Sequence, residues 1–347
     1  MASIRSRFAN FFVRIATRLS FKPGDTPDDL RRLVAKADKR KKGKLAPGIV
    51  VEETELPLPG RWLRNFHGDD GRVILYLHGG AFIIRMPESH SEMVSRLCKG
   101  TGMSAFLPWY RLAPEHVFPA AAEDCLASYR YLLETYRAEN IVVMGDSAGA
   151  NLTLSLLNLI KQHHLPMPRA AVALSPITDF AEISATWLMH TRLDPLFAMK
   201  NYSLPQLHYL RGKNIMDPIA SPIYGDLGGL PPLLLIAGGV EALRDDSVAY
   251  VRKAIEAGVN ARVHIWQGMP HVHTLMDFLP ESSLTEAEIF SWLKALPERD
   301  SRLSTDRLWP FAVTLFNRSP LTGTLQRKTN GEQVCEVLIP AGLADRI

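Results

Sequence analysis

The sequence contains few cysteines and no long apolar run. It has three cysteines in 347 residues, Cys98, Cys125 and Cys335, and they are widely spaced. This number and spacing exclude a disulfide framework and the clustered cysteines of a zinc site, so a cytoplasmic location is expected. No stretch reaches the length of a transmembrane helix. Arginines interrupt the N-terminal region where a secretory signal has a continuous apolar core.

Excess charge of either sign is also lacking. The formal net charge is +4, and no basic stripe with interleaved aromatic residues occurs, so no nucleic-acid partner is expected. Hydrophobic residues make up 46% of the chain and charged residues 22%, which is typical of a globular protein. A chain of this length favours one large domain with an elaboration over two independent domains.

Short β-branched segments alternate with helical patterns along most of the chain. The predicted strands are 49–56, 61–66, 73–77, 104–107, 141–144, 170–174, 233–237 and 262–266. The predicted helices between and after them include 119–136, 152–160, 245–256 and 284–296. The first two strands flank proline and glycine turn residues and are predicted to form a hairpin. The alternation predicts an α/β fold with a doubly wound, mostly parallel central sheet.

The N-terminal region, one insertion and the C-terminal extension fall outside this alternation. Residues 4–19 have the pattern of an amphipathic helix with a basic face, and a second helix is predicted to begin at Pro27, with Thr26 as its N-cap. Contact of residues 4–19 with a membrane surface is one hypothesis, but packing against the body of the protein is favoured. Residues 180–213 form an insertion between two strands, and residues 298–347 form a C-terminal extension without an assigned role.

The pentapeptide Gly-Asp-Ser-Ala-Gly at 145–149 lies between a predicted buried strand and an apolar helical segment. Strand, G-x-S-x-G and helix together are typical of a nucleophile elbow, in which a sharp turn exposes the serine hydroxyl. Gly145 and Gly149 lack a Cβ and let the strand and the helix pass close together. The sequence therefore predicts Ser147 as a nucleophile, with the N-terminus of the helix favouring an anion beside it.

A second glycine-rich motif, His-Gly-Gly-Ala at 78–81, follows strand 73–77. Such a loop brings backbone N–H groups close to a substrate carbonyl, although a plain strand-terminating turn is the alternative interpretation. The expected oxyanion donors are the backbone N–H groups of Gly79, Gly80, Ala81 and Ala148. His78 is expected to brace the loop rather than to take part in the chemistry.

A serine nucleophile requires a base and an acid that orients the base, here from loops after later strands. Strand 233–237 is followed by Glu241 and Asp245, and strand 262–266 by His271 and His273. His271 is the predicted base and Glu241 the predicted acid, with His273 and Asp245 as the alternatives. Asp245 has the position of a residue in the first turn of a helix, where the helix dipole favours a carboxylate.

Four motifs together resemble the hormone-sensitive-lipase-like carboxylesterases of the α/β-hydrolase fold, the bacterial family IV. They are His78–Phe82, the segment 110–121 (YRLAPEHVFPAA), Gly145–Gly149 and Gly268–His271. The resemblance covers roughly residues 45 to 297. It implies a triad of Ser147, Glu241 and His271, a catalytic domain at 46–297, and a helical cap formed by residues 1–45 and the insertion at 180–213.

The sequence departs from this family at two positions. Ala81 replaces the third glycine of the His-Gly-Gly-Gly motif, which is tolerated if the φ angle there is negative. Glu241 stands where the family more often has aspartate, so Asp245 stays open as the acid. The extension 298–347 has no counterpart in the family pattern.

The resemblance implies a serine carboxylesterase that hydrolyses short- to medium-chain acyl esters through an acyl-serine intermediate, with no metal or organic cofactor. Phe82 and Ile83 are candidates for lining the substrate pocket. An amidase or a lactonase would use the same residues and differ only in the leaving group. A non-catalytic ligand-binding protein of the same fold is a further alternative, but such a protein normally lacks part of the triad. A membrane-surface lipase is the last alternative, and it would use residues 4–19 as its anchor.

Overall fold

The computed structural model of the chain describes residues 26–66, 71–182, 184–190, 193–194 and 205–297. The helical pattern predicted at 4–19 and the extension 298–347 lie outside these described residues, as does part of the insertion predicted at 180–213.

Eight strands form a single sheet. They are β1 Ile49–Thr54, β2 Gly60–Asn65, β3 Val73–Leu77, β4 Ser104–Pro108, β5 Ile141–Asp146, β6 Ala170–Leu174, β7 Leu233–Gly238 and β8 Ala261–Trp266. Their order is β1-β2-β4-β3-β5-β6-β7-β8. β2 pairs antiparallel with both β1 and β4, and all the other pairs are parallel. The predicted hairpin and the predicted mostly parallel sheet are confirmed.

Helices cover both faces of this sheet. They are α1 Pro27–Asp38, α2 Pro87–Thr101, α3 Ala120–Leu133, α4 Ala148–Gln162, α5 Ala185–His190, α6 Arg244–Glu256 and α7 Pro280–Ala295. Apolar residues of α3, α4 and α6 join one buried cluster, and those of α2 and α7 join a second. The strands β3 to β7 are buried along their whole length because helices pack on both sides of them. None of the described helices is both long and apolar enough to cross a membrane.

Local sequence signals account for the beginning of α1. Thr26 is the N-cap, and its hydroxyl accepts a hydrogen bond from the backbone N–H of Asp29, whose carboxylate accepts one from the backbone N–H of Thr26 in return. This reciprocal capping satisfies two helix-terminal donors, and Pro27 in the first turn has no N–H group that would need an acceptor. The predicted start of this helix is confirmed.

No helix is predicted from the local pattern at 87–101, where the structure has α2. Buried polar residues occupy the inner face of this helix, among them His90, Ser91 and Ser95. They interrupt the apolar periodicity by which an amphipathic helix is recognised. These polar side chains are buried because they bind partners that lie elsewhere in the fold, and the local sequence does not show those partners.

Candidate active site

Ser147 lies in the sharp turn between β5 and α4. Its φ angle is +52°, in the left-handed region that residues other than glycine seldom adopt. A Cβ at Gly149 would overlap the carbonyl oxygen of Leu77, and one at Gly145 would overlap the carbonyl of Gly149. Both glycines are therefore required for the close approach of strand and helix that the sequence predicts.

The imidazole of His271 faces the hydroxyl of Ser147. His271 follows β8, and its Nε2 lies 2.9 Å from Ser147 Oγ, which is hydrogen-bond distance. The side chain is buried. The structure thus brings together two residues that are 124 positions apart in the sequence.

Glu241 lies on the other side of the same imidazole. It is fully buried in the loop between β7 and α6, and its Oε2 is 3.6 Å from His271 Nδ1. This distance is long for a hydrogen bond but is within the range of an ion pair. Asp245, the alternative acid, is occupied elsewhere: its carboxylate accepts from the backbone N–H of Thr186 at 3.2 Å and from Arg244 at 3.0 Å.

Carboxylates govern the protonation of His271. Burial disfavours the charged imidazolium, but the nearby carboxylates together outweigh it, Glu241 most of all, so the pKa of His271 lies above its usual value of 6.5. Asp194 and Asp146 add to the effect through their charge. The site therefore favours the imidazolium that a general base forms when it accepts a proton.

The other histidine near the site is packed into the fold. His273 Nε2 lies 2.7 Å from the hydroxyl of Thr285 on α7, and burial lowers the pKa of His273 to about 3. This side chain stays neutral and is directed away from the serine. The structure thus brings His271, not His273, to Ser147.

The N–H group of Gly79 does not point into the site. It donates to Oδ1 of Asp146 at 3.0 Å, so it is not available to an oxyanion. The backbone then turns with positive φ angles of 124° at Gly80 and 55° at Ala81. The expectation of a Gly79 donor is at odds with this geometry, and the negative φ angle under which Ala81 would replace glycine without strain is not found. Gly80, Ala81 and Ala148 are left as candidate donors.

Asp146 is the centre of a buried polar cluster that the sequence analysis missed. Its carboxylate accepts from the hydroxyl of Tyr76 at 2.9 Å and lies 3.3 Å from His90 Nε2. Burial alone would raise the pKa of Asp146, but His90, together with the hydrogen bonds from Tyr76 and Gly79, outweighs it and the pKa is lowered. Burial likewise opposes a charged His90, but Asp146 raises the pKa of His90. The position of Asp146 next to the nucleophile was the only sequence signal for this pair.

His78 has the bracing position that the sequence predicts. Its ring stacks on Tyr110 with a centroid separation of 4.2 Å, and its Nδ1 donates to the carbonyl of Gly79 at 2.8 Å. Burial holds the pKa of His78 well below its usual value, so the ring is neutral.

Phe82 and Ile83 are fully buried. Phe82 stacks face to face on Tyr209, with ring centroids 4.1 Å apart, and belongs to the main apolar core. Contact of either side chain with substrate stays a prediction. Among the described residues, no group of three or more His, Cys, Asp or Glu side chains is arranged to hold a metal ion.

Comparison with known proteins decides the family. Residues 74–275 match a family of the alpha/beta hydrolase fold, a span that includes every candidate site residue. The chain is 34% identical to a crystallised esterase of the bacterial hormone-sensitive lipase family, with a TM-score of 0.79 over 85% of this chain and 99% of that one. It belongs to the hormone-sensitive-lipase-like carboxylesterases.

Proteins of known sequence support the same assignment for this esterase. An acetyl-hydrolase of Streptomyces hygroscopicus is 38% identical over 237 residues, which cover 68% of this chain and 78% of the relative. An esterase of Acinetobacter venetianus is 32% identical over 228 residues, covering 65% and 75% of the two chains. This esterase is accordingly a carboxylic ester hydrolase that acts on small-molecule esters, as predicted from its motifs.

Proposed function

We propose that Ser147, His271 and Glu241 are the nucleophile, the general base and the orienting acid of this esterase. The observation that carries the proposal is the distance of 2.9 Å between Ser147 Oγ and His271 Nε2. A base within hydrogen-bond distance is what converts a weakly nucleophilic hydroxyl into an attacking group. The fully buried carboxylate of Glu241 holds the imidazole from its other side.

The reaction proceeds in two acyl transfers. His271 takes the proton of Ser147 as Oγ attacks the ester carbonyl, and the same proton is then delivered to the leaving alcohol as the C–O bond breaks. A water molecule next gives a proton to His271 and attacks the acyl-serine. His271 returns that proton to Ser147 as the carboxylic acid leaves. Glu241 stabilises the imidazolium in both halves of the reaction.

The negative charge on the tetrahedral intermediate needs N–H donors beside Ser147. We assign this role to the backbone N–H groups of Gly80, Ala81 and Ala148. Ala148 begins α4, so its N–H has no carbonyl partner within the helix. Each well-placed donor lowers the barrier by about 3 kcal/mol. Gly79 acts indirectly, since its N–H holds the loop to Asp146.

The cap proposed at the N-terminus is anchored directly to the oxyanion loop. Arg31 on α1 donates to the carbonyl of Ile83 at 2.9 Å and to that of Ala113 at 2.8 Å. The same guanidinium binds the Glu115 carboxylate through two nitrogens, each 2.7 Å from an oxygen. A bidentate pair of this kind sets orientation as well as affinity, which supports a cap formed by residues 1–45.

The insertion is anchored to the acid loop in a similar way. Asp245 exchanges hydrogen bonds with Thr186 of α5, and Asp194 accepts from the backbone N–H of Ala242 at 3.0 Å. These contacts tie part of the segment 180–213 to the loop that carries Glu241. A cap that these contacts hold beside the acid loop would narrow the acyl site, and we therefore propose a preference for short- to medium-chain esters.

A cytoplasmic location agrees with the free, reduced state of the described cysteines. Cys98 and Cys125 are buried free thiols, and burial raises the pKa of the Cys98 thiol to about 12, so it is unreactive. Peripheral membrane contact through residues 4–19 remains the less favoured alternative.

Hydrolysis of p-nitrophenyl esters of increasing acyl length by the wild type and by Ser147→Ala tests the proposed function. We expect turnover that is highest for short and medium chains and at least about a hundredfold lower in the variant, which lacks the nucleophile. Circular dichroism checks that both proteins are folded. Retention of more than a small fraction of the rate by Ser147→Ala would overturn the serine mechanism. Faster turnover of matched amides or lactones would instead show that the preferred substrates are amides or lactones.

A further inference from the structure

Ser175 lies between the two loops that carry Glu241 and His271. It follows β6 directly, it is buried, and its backbone N–H donates to the carbonyl of Ile236 on β7 at 2.7 Å. The hydroxyl of Ser175 contacts both loops. It donates to Oε2 of Glu241 at 2.6 Å and accepts from the backbone N–H of Val272, the residue after His271, at 3.1 Å.

The direction of these two hydrogen bonds is determined by chemistry. A backbone N–H can only donate, so Ser175 Oγ is the acceptor toward Val272. The single hydroxyl proton is then directed to the carboxylate of Glu241. A hydrogen bond to a charged oxygen is short and roughly twice as strong as a neutral one, which fits the distance of 2.6 Å.

We infer that Ser175 is a positioning residue that holds the Glu241 carboxylate against His271, an inference that rests on the proposed triad. The oxygen that Ser175 binds, Oε2, is also the oxygen 3.6 Å from His271 Nδ1. Glutamate has one more rotatable bond than aspartate, so a free Glu241 side chain would sample more orientations. The hydroxyl selects the orientation that faces the imidazole.

The backbone conformations of Ser175 and of its hydrogen-bond partner Val272 support this role. The φ angle is +54° at Ser175 and +44° at Val272, and neither residue is a glycine. For a β-branched residue such as Val272, this region is particularly unfavourable. Such conformations persist where surrounding contacts over-determine them, typically at functional sites. Here one hydroxyl ties the two strained positions together.

A double-mutant cycle tests the inference: kcat and KM for a p-nitrophenyl ester are measured for the wild type, Ser175→Ala, Glu241→Ala and the double variant. We expect Ser175→Ala to lower kcat about 10- to 100-fold, the loss of a hydrogen bond to a charged group, with KM little changed. On the Glu241→Ala background, where no carboxylate remains to be held, the same substitution should change kcat by less than about threefold.

The matched control is Ser128→Ala, which removes a buried hydroxyl that donates to the carbonyl of Asp124 on α3. It should leave kcat unchanged. If Ser175→Ala does not fold, Ser175→Gly also lacks the hydroxyl but suits the positive φ angle.

An equal loss of kcat on both backgrounds would show that Ser175 supports the fold alone and would overturn the inference. An unchanged kcat in Ser175→Ala, with Glu241→Ala strongly impaired, would overturn it while leaving the triad in place. Wild-type activity in Glu241→Ala would instead refute the proposed acid, and the inference with it.

Discussion

The backbone N–H of Gly79 donates to the carboxylate of Asp146 at 3.0 Å. Asp146 is the residue before Ser147, and Gly79 is the first glycine of the loop after β3. The hydrogen bond therefore joins the nucleophile turn to the proposed oxyanion loop. It sets the distance between the serine and the donors that follow Gly79, and it removes the N–H of Gly79 itself from the set of donors.

Gly79→Ala should abolish most of the activity. An added Cβ would overlap Oδ2 of Asp146 and lie 2.9 Å from the backbone oxygen of the same residue, so the loop must move. We expect kcat to fall at least about a hundredfold, because displacing even one oxyanion donor costs that much. The matched control is Gly228→Ala, where the nearest atom to the new Cβ is 3.3 Å away, at the end of a side chain. Equal kcat values for the two variants would contradict the proposed role of the loop.

Asp146→Asn should change the pH dependence of stability. The raised pKa of His90 means that its contribution is complete below the unfolded value of 6.5 and is lost as the pH rises through the folded pKa. The lowered pKa of Asp146 means that its contribution is present above 3.8 and is lost as the pH falls through the folded pKa. The pair therefore stabilises the fold most between these two unfolded values.

Urea denaturation of the wild type and of Asp146→Asn measures this effect. We expect the free energy of unfolding to differ by about 2 kcal/mol near pH 5.5, the size of a hydrogen bond to a charged group, and by less near pH 9. Ser128→Ala, which removes no titratable group, should show a difference that does not vary with pH. A difference for Asp146→Asn that grows toward alkaline pH would be incompatible with an ion pair.

Glu241→Gln should impair catalysis far more than Asp245→Asn. Glu241 is fully buried with an oxygen 3.6 Å from His271 Nδ1, whereas Asp245 binds Thr186 and Arg244. We expect kcat to fall by about a thousandfold or more in the first variant, as for loss of the acid in other triads, and less than about fivefold in the second. Steady-state kinetics on one ester decides between them, and the reverse order would make Asp245 the acid.

The rate should fall on the acid side as His271 becomes protonated. Only the neutral imidazole accepts the proton of Ser147, and the pKa of His271 lies above 6.5 because Glu241 offsets the effect of burial. The half-maximum of kcat/KM, which reports the free enzyme, should therefore lie above pH 6.5. In Glu241→Gln the cause of the upward shift is removed, so the half-maximum should move to lower pH. A profile that is flat from mildly acidic to alkaline pH would argue against a histidine base.

Local patterns were sufficient to predict most of the fold. The strand at Ala170–Leu174 has the predicted bounds, and others, such as Ala261–Trp266, differ by one residue. Parallel strands buried on both faces are continuous apolar segments, so their positions are visible in the sequence. The helix Pro87–Thr101 is not predicted because polar residues such as His90 and Ser95 interrupt the apolar pattern of its buried face, and only their partners elsewhere in the fold explain their burial.

The serine nucleophile could also be predicted from the sequence, because the elbow requires particular small residues between a strand and a helix. The family and the ester hydrolase activity were implied by the resemblance of four motifs to known esterases. The sequence favoured Glu241 as the acid but left Asp245 open, and it assigned Gly79 a donor role that the structure contradicts. Residues far apart in the chain determine the direction of an N–H group. They also determine which carboxylate lies next to an imidazole. Gly79 and Asp146 are 67 positions apart, and Ser175 and Glu241 are 66 apart. Local sequence was therefore enough to predict the strands, most of the helices and the groups that carry the chemistry. The pairing of those groups follows from the folded chain, since hydrogen-bond geometry depends on distances that local sequence does not contain.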